Sequence, residues 1–123
     1  MPPETDAEVA RRAILDIVGE DDWGLWEIFA TVNGAVPGRD EAAVRALAAG
    51  AVRTLAAQRL VEVVSGRLLD DGPTTPADLA VLDTPAAWEP AGEQPSYLGL
   101  RITPAGEEAY YAMLREDSGS SGG

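Results

Sequence analysis

Cysteine, histidine and lysine are all absent from the 123 residues of this chain. Without cysteine and histidine the chain lacks disulfides, thiol chemistry, the usual zinc ligands and the commonest acid–base catalyst. Its apolar runs are far shorter than the roughly 20 residues of a membrane-spanning helix, and no signal sequence follows Met1. We therefore predict a cytoplasmic protein that uses no metal or cofactor and does not enter the membrane.

Motifs of common enzymes are also missing. There is no GxSxG, and the segment 34–38 lacks the lysine and the spacing of a phosphate-binding loop. Adjacent carboxylates occur at 21–22, 70–71 and 107–108, but all fall in predicted turns or helix starts, where solvated acids are ordinary. We predict that the protein is not an enzyme.

Charge is distributed unevenly along the chain, whose net charge is −12. Residues 1–38 carry two arginines against eight acids, residues 39–67 five against three, and residues 68–123 two against ten. The middle stretch, at +2, is thus the only basic one. The exclusive use of arginine and the abundant alanine are typical of a GC-rich bacterial genome.

The stretch from Asp40 to Ser65 combines a long helix with a strand. Asp40 and Glu41 fall in the first turn, where the helix dipole favours carboxylates, and alanine, the best helix former, is abundant beyond them. After Arg59 the short β-branched run 60–64 predicts a strand. The buried side of the helix should carry the apolar residues that recur every three or four positions, namely Val44, Leu47, Ala48, Ala51, Val52 and Leu55.

Two shorter helices should precede this stretch. Thr5 and Glu8 have capping-box spacing, and Gly19 is a natural helix end. The second helix should end at 33–34. The apolar surface of the second helix should consist of Leu25, Trp26, Ile28, Phe29, Ala30 and Val32.

Beyond the central stretch, Thr75 matches a helix N-cap and Pro76 a first helical position, so a short helix through residues 79–82 is predicted. Another single turn should lie at 84–88. The alternation at 97–102 predicts a strand, and a final helix capped at residue 103 should end near residue 116.

Two motifs carry a resemblance to a known family. The segment 52–61, VRTLAAQRLV, ends a helix and enters a strand, and the segment 100–106, LRITPAG, leads from a strand into the last helix. Together they resemble the winged helix-turn-helix family, in particular the MarR- and PadR-type regulators. The resemblance implies three helices, a wing sheet of two or three strands and a C-terminal helix. It also implies that residues 23–25 form a short first strand that pairs with the wing.

We accordingly predict an α+β fold: one winged-helix domain at 5–117, with a helical insertion at about 68–96. Residues 1–4 should be disordered, and the SGSSGG segment at 118–123 should be a flexible tail. The sequence leaves open whether the protein is a monomer or a homodimer.

DNA binding is one function that the resemblance implies, with the third helix in the major groove. Acids at the start of that helix, and the acidic segment 68–96, disfavour it because both would face phosphates. In this alternative the contacts to DNA come from Arg45, Arg53, Arg59 and Arg67.

Protein binding is the function that the sequence favours. Small residues on the outer side of the central helix would let another backbone approach closely, and the acidic surface suits a basic partner. Apolar residues of the insertion would either anchor a partner or cover one end of the core. The candidate partner-binding residues are Ala46, Ala49, Gly50, Leu79, Leu82 and Trp88.

Overall fold

A computed structural model describes residues 5–19, 23–67, 75–88 and 96–121. These residues mix helices with an antiparallel sheet, which confirms the α+β prediction. The helices are α1 (Asp6–Val18), α2 (Leu25–Ala35), α3 (Glu41–Ala57) and α4 (Pro104–Ser121). The strands are β1 (Trp23–Gly24), β2 (Val61–Arg67), β3 (Thr75–Pro76) and β4 (Ser96–Ile102). Two 3₁₀ helices, called the 3₁₀ pair below, occupy Leu79–Asp83 and Pro85–Trp88.

Helices α1 and α4 begin at their predicted capping residues, and α3 begins one residue later than predicted, with Asp40 as its cap. The side-chain oxygens of Thr5, Asp40 and Thr103 accept the N–H of the third following residue at 3.1, 2.7 and 3.0 Å. Each bond satisfies one of the N–H groups that a helix start leaves without a partner. Helix α3 then continues through Gly50 without interruption, so the predicted central helix is confirmed.

The described strands form one sheet in the order β1-β4-β2-β3, with every neighbouring pair antiparallel. The long strands β2 and β4 form its centre, where Val63 lies opposite Leu100. Strand β3 corrects one prediction, because Thr75–Pro76 pairs with β2 and does not start a helix. The first 3₁₀ helix is instead capped by Asp78, whose carboxylate accepts the Ala80 N–H at 2.9 Å.

The core lies between α1, α2, α3 and one face of the sheet. Helix α2 departs from its prediction, since Trp26 is 42% exposed. Residues spaced by three and four, at 25, 28 and 32, face the core, and Trp26 lies about 100° around the helix from Leu25. The fully buried large side chains include Ile14, Leu25, Ile28, Val32, Val44, Val52 and Leu100.

The junction between α3 and β2 ties the end of the helix to the start of α4. Arg59 adopts a left-handed conformation with φ 61°, and the N–H groups of Arg59 and Leu60 donate to the carbonyls of residues 56 and 55. This is the Schellman arrangement, in which the left-handed position is usually a glycine. Thr103 donates its hydroxyl to the Arg59 carbonyl at 2.6 Å and its N–H to the Leu60 carbonyl at 3.0 Å.

Helix α4 extends to Ser121, beyond the predicted end near Glu116. No proline interrupts the segment, so each added residue can continue the backbone hydrogen-bond ladder. Residues 1–4, 20–22, 68–74, 89–95 and 122–123 lie outside the described residues, and so do the predictions made for them. Among the described helices, none combines the length and the apolar character needed to cross a membrane.

Candidate interaction surface

The side of α3 that carries Arg45, Ala46, Ala49, Gly50 and Arg53 is called the outer face below. Ala46 and Gly50 are exposed, as predicted for residues turned away from the core. The two arginines are half-buried, and Ala49 is only 9% exposed. Part of this face is therefore covered by other residues of the domain.

The 3₁₀ pair provides that cover. Its first helix contacts α3 and its second contacts α2. Leu82 and Trp88 are inserted into the core, being 3% and 5% exposed. The Trp88 indole Nε1–H donates to the Leu82 carbonyl at 3.0 Å, so its one polar group is satisfied inside the protein.

Arg53 links the outer face to the 3₁₀ pair directly. Its Nη2 donates to the Asp83 carboxylate at 2.9 Å and to the Leu79 carbonyl at 3.3 Å. Both charged side chains remain partly exposed, so this ion pair contributes at most about 1 kcal/mol. The buried apolar side chains account for most of the attachment, and the ion pair sets the position of Arg53.

A cleft of about 210 Å³ remains between α3 and the 3₁₀ pair. It brings together residues from both predicted groups, since Arg45 lines it together with Leu82 and Trp88. Its lining consists of Arg45, Ala46, Ala49, Leu82, Asp83, Pro85 and Trp88.

These positions correct three of the predicted partner contacts. Ala49, Leu82 and Trp88 are buried, so they are not available to another protein in this conformation. For Leu82 and Trp88 the structure supports the other reading of the insertion, a cover over one end of the core. Leu79 remains 37% exposed, and Ala46 and Gly50 are also accessible.

The arginines predicted for DNA contact are not brought together as one surface. Arg45 and Arg53 lie on the outer face, whereas Arg59 lies at the end of α3, where its backbone conformation closes the helix. Arg53 is paired with Asp83, and Arg59 has no ion pair with any described residue. The side chain of Arg67 lies outside the described part of the chain.

Two further ion pairs join separate elements. Arg39 donates from Nε and Nη2 to one carboxylate oxygen of Asp6, at 3.1 and 2.9 Å. Arg101 on β4 pairs with Glu62, its cross-strand neighbour on β2, at 2.7 Å. Of the four arginines of the basic middle stretch whose side chains are described, Arg39 and Arg53 are therefore neutralised by carboxylates.

Comparison with protein-family models, curated proteins and solved structures finds no match. Among the described residues, no charged side chain is buried and no group of three or more Asp or Glu residues is placed to hold a metal ion.

Sequence reasoning missed two features of the surface. Asp83 and Pro85 line the cleft, and no local pattern marks them because their position depends on how the 3₁₀ pair packs. The exposure of Trp26 could have been predicted from the sequence, since the spacing of Leu25, Ile28 and Val32 already defines the buried side of α2.

Four large apolar side chains of the described part are exposed. They are Trp26, Leu79, Tyr111 and Leu114.

Proposed function

We propose that this chain is a non-catalytic winged-helix module that acts by binding another protein. The order of the elements supports the fold, with α3 leading into β2, β1 and β2 flanking β4, and α4 following. The non-catalytic role is supported by the lack of histidine and cysteine. The observation that carries the proposed role is that the 3₁₀ pair covers part of the outer face of α3.

Coverage of the outer face disfavours the alternative, a DNA-binding regulator of MarR or PadR type. An α-helix with its side chains is about 10–12 Å across, and the major groove is about 12 Å wide. A recognition helix therefore fills the groove by itself. With the 3₁₀ pair beside Ala49 and Arg53, α3 could enter only after that pair was displaced, which would expose Leu82 and Trp88.

Electrostatics disfavours the alternative as well. Two of the proposed DNA contacts, Arg45 and Arg59, have no ion pair with any described residue, whereas Arg53 is neutralised by Asp83. If these two and Arg67 all reached phosphates, the log–log salt slope would be only about −2.7. Such a shallow slope corresponds to weak non-specific binding.

Exposed apolar side chains supply the contacts that protein binding requires. Tyr111 and Trp26 are 55% and 42% exposed, and Leu79 and Leu114 are also accessible. Aromatic residues are enriched among those that dominate binding energy at interfaces. The net charge of −12 favours a basic partner, chiefly by accelerating the encounter.

A duplex titration tests the choice between protein and DNA. Binding is measured by the fluorescence anisotropy of a labelled mixed-sequence duplex at about 50 mM salt, a low salt concentration that favours any phosphate contact. We expect no micromolar binding. Binding at micromolar strength that is lost in both Arg45→Gln and Arg53→Gln would overturn the proposal, provided that Arg115→Gln, the same charge change on exposed α4, retains it.

Affinity capture from native cells tests the positive claim. A partner should be retained after nuclease treatment and released by rising salt. The double change Trp26→Ser and Tyr111→Ser should reduce its capture, because it removes the two most exposed aromatic side chains of the described residues. Arg115→Gln serves as the control. Capture that disappears with nuclease would contradict the proposal.

A further inference from the structure

We propose that Asn33 is a site of spontaneous deamidation, with the backbone nitrogen of Gly34 as the attacking group. Asn33 is the only asparagine in the chain, and a glycine follows it directly. Because glycine has no Cβ, nothing on residue 34 hinders the approach of its nitrogen to the asparagine side chain. Asn-Gly is therefore the pair in which ring closure between side chain and backbone meets the least steric resistance.

The pair lies in the last turn of α2, where both residues are exposed. The Val36 N–H donates to the Val32 carbonyl at 3.0 Å. The next carbonyl, that of Asn33, has no such helical donor, because residue 37 is a proline and lacks an N–H. This end of α2 is therefore held by fewer hydrogen bonds than the helix interior.

The reaction requires only water besides the chain itself. The Gly34 nitrogen attacks the side-chain carbon Cγ of Asn33, the Cγ–Nδ2 bond breaks, and ammonia leaves with the proton of the Gly34 N–H. Water then opens the cyclic succinimide at either carbonyl. One opening gives aspartate, and the other gives isoaspartate, in which the backbone runs through Cγ. The overall reaction replaces the amide by a carboxylate, and no atom is oxidised or reduced.

The helical conformation limits the rate of attack. While α2 is intact, the Gly34 N–H points along the helix axis towards the preceding turn and not towards the side chain of Asn33. Attack therefore requires the last turn to open, and helix ends open at far lower free energy than the core. Apart from the adjacent helix backbone, no heavy atom lies within 4 Å of the position that a Gly34 Cβ would take. The turn can therefore open without displacing another element.

Conversion changes the charge and the geometry of the turn between α2 and α3. A carboxylate at residue 33 adds negative charge at the C-terminal end of α2, where the helix dipole disfavours it. Isoaspartate also lengthens the backbone ahead of the turn that holds Arg39, whose Nη2 donates to Asp6 of α1 at 2.9 Å. The product is therefore a chain with one more negative charge and a weakened link between α1 and this turn.

Mass spectrometry of the full chain, incubated folded at mildly alkaline pH and then mapped as peptides, tests the proposal. We expect the mass gain of amide hydrolysis in the peptide that contains Asn33, with aspartate and isoaspartate both present. Isomerisation of an aspartate leaves the mass unchanged, so the gain distinguishes the two reactions. Asn33→Gln should abolish the gain. Gly34→Ala should slow it severalfold, because a Cβ hinders the approach and alanine favours the closed turn.

Gly50→Ala is the matched control, since Gly50 is also an exposed helical glycine with free space around its Cβ position. We expect it to leave the rate unchanged, because it does not touch the end of α2. Equal slowing in Gly34→Ala and Gly50→Ala would overturn the proposal by showing that only the globally unfolded chain reacts. So would a folded protein that gains no mass while the chain in urea converts completely.

Discussion

Gly50 and Gly106 are both helical glycines, yet a methyl group at the two positions would meet opposite surroundings. At Gly50 no heavy atom outside the adjacent helix backbone lies within 4 Å of the position where a Cβ would be. At Gly106 that position overlaps the Leu60 carbonyl oxygen, where the start of α4 contacts the junction between α3 and β2. Glycine is thus required at Gly106, where α4 approaches the Leu60 carbonyl closely. At Gly50 nothing requires glycine, which lowers the stability of α3 because it loses more backbone entropy on folding than other residues.

Gly50→Ala should raise the free energy of unfolding by about 0.5–1 kcal/mol, because alanine restricts the unfolded chain and favours the helix. Gly106→Ala should lower it, since backbone at the junction would have to shift. Urea denaturation measures both values. Destabilisation by Gly50→Ala would mean that the outer face of α3 is more crowded at that position than the structure shows.

Arg59 is the other residue where backbone conformation decides how a substitution changes stability. A left-handed conformation costs an ordinary L-residue about 1–2 kcal/mol, and glycine escapes this cost. Arg59→Gly should therefore stabilise the protein by about 1 kcal/mol in urea denaturation. Arg59→Ala keeps the Cβ and is the control. If both variants had the same stability, the left-handed residue would not be a source of strain.

At the scale of elements, Thr103 joins α3, β4 and α4. Its hydroxyl donates to the Arg59 carbonyl and accepts the Gly106 N–H, so one oxygen serves as both a link to the α3 end and the cap of α4. Thr103→Ala should lower the free energy of unfolding by about 1–2 kcal/mol. Thr103→Ser retains the hydroxyl and should recover most of the loss. A serine variant as unstable as the alanine variant would show that the methyl group, not the hydroxyl, matters.

Two substitutions compare how much apolar burial and charge each contribute to the attachment of the 3₁₀ pair. Leu82→Ala should cost about 2–5 kcal/mol, because it leaves a cavity in the core. Asp83→Asn removes the charge of an exposed ion pair and should cost at most about 1 kcal/mol. Equilibrium denaturation of the two variants checks this order. A larger loss in Asp83→Asn would mean that the Arg53 ion pair carries the attachment.

At the scale of the whole molecule, the net charge of −12 implies repulsion within the folded state. Raising salt from about 10 to 150 mM shortens the Debye length from about 30 to 8 Å and should raise the melting temperature. Sodium and potassium chloride should act alike, because screening does not depend on the cation. A melting temperature that falls with salt would show that the described ion pairs outweigh the repulsion.

Periodicity and capping residues were sufficient to predict most of the elements. Asp40 and the alanine-rich segment after it predicted α3, and Thr103-Pro104 predicted the start of α4. The prediction was wrong at Thr75-Pro76, where a residue pair suited to a helix start lies in a strand. Pairing with β2 decided that segment, and such pairing depends on residues distant along the chain.

The candidate surface was less accessible to sequence reasoning. Outward orientation of Ala46 and Gly50 followed from helical spacing, whereas the burial of Ala49 did not, because the covering residues come from the 3₁₀ pair. The same packing placed Asp83 against Arg53 and formed the cleft beside Arg45.

The sequence by itself determined the local properties of this protein: the α+β class, the starts of α1, α3 and α4, and the absence of thiol and imidazole chemistry. These depend on neighbouring residues and on composition, both of which are present in the linear chain. Tertiary structure alone decided that the 3₁₀ pair lies against α3, that Trp88 enters the core and that Arg53 is neutralised. The reason is that apolar burial is non-directional, so a hydrophobic side chain specifies that it will be covered but not which segment will cover it.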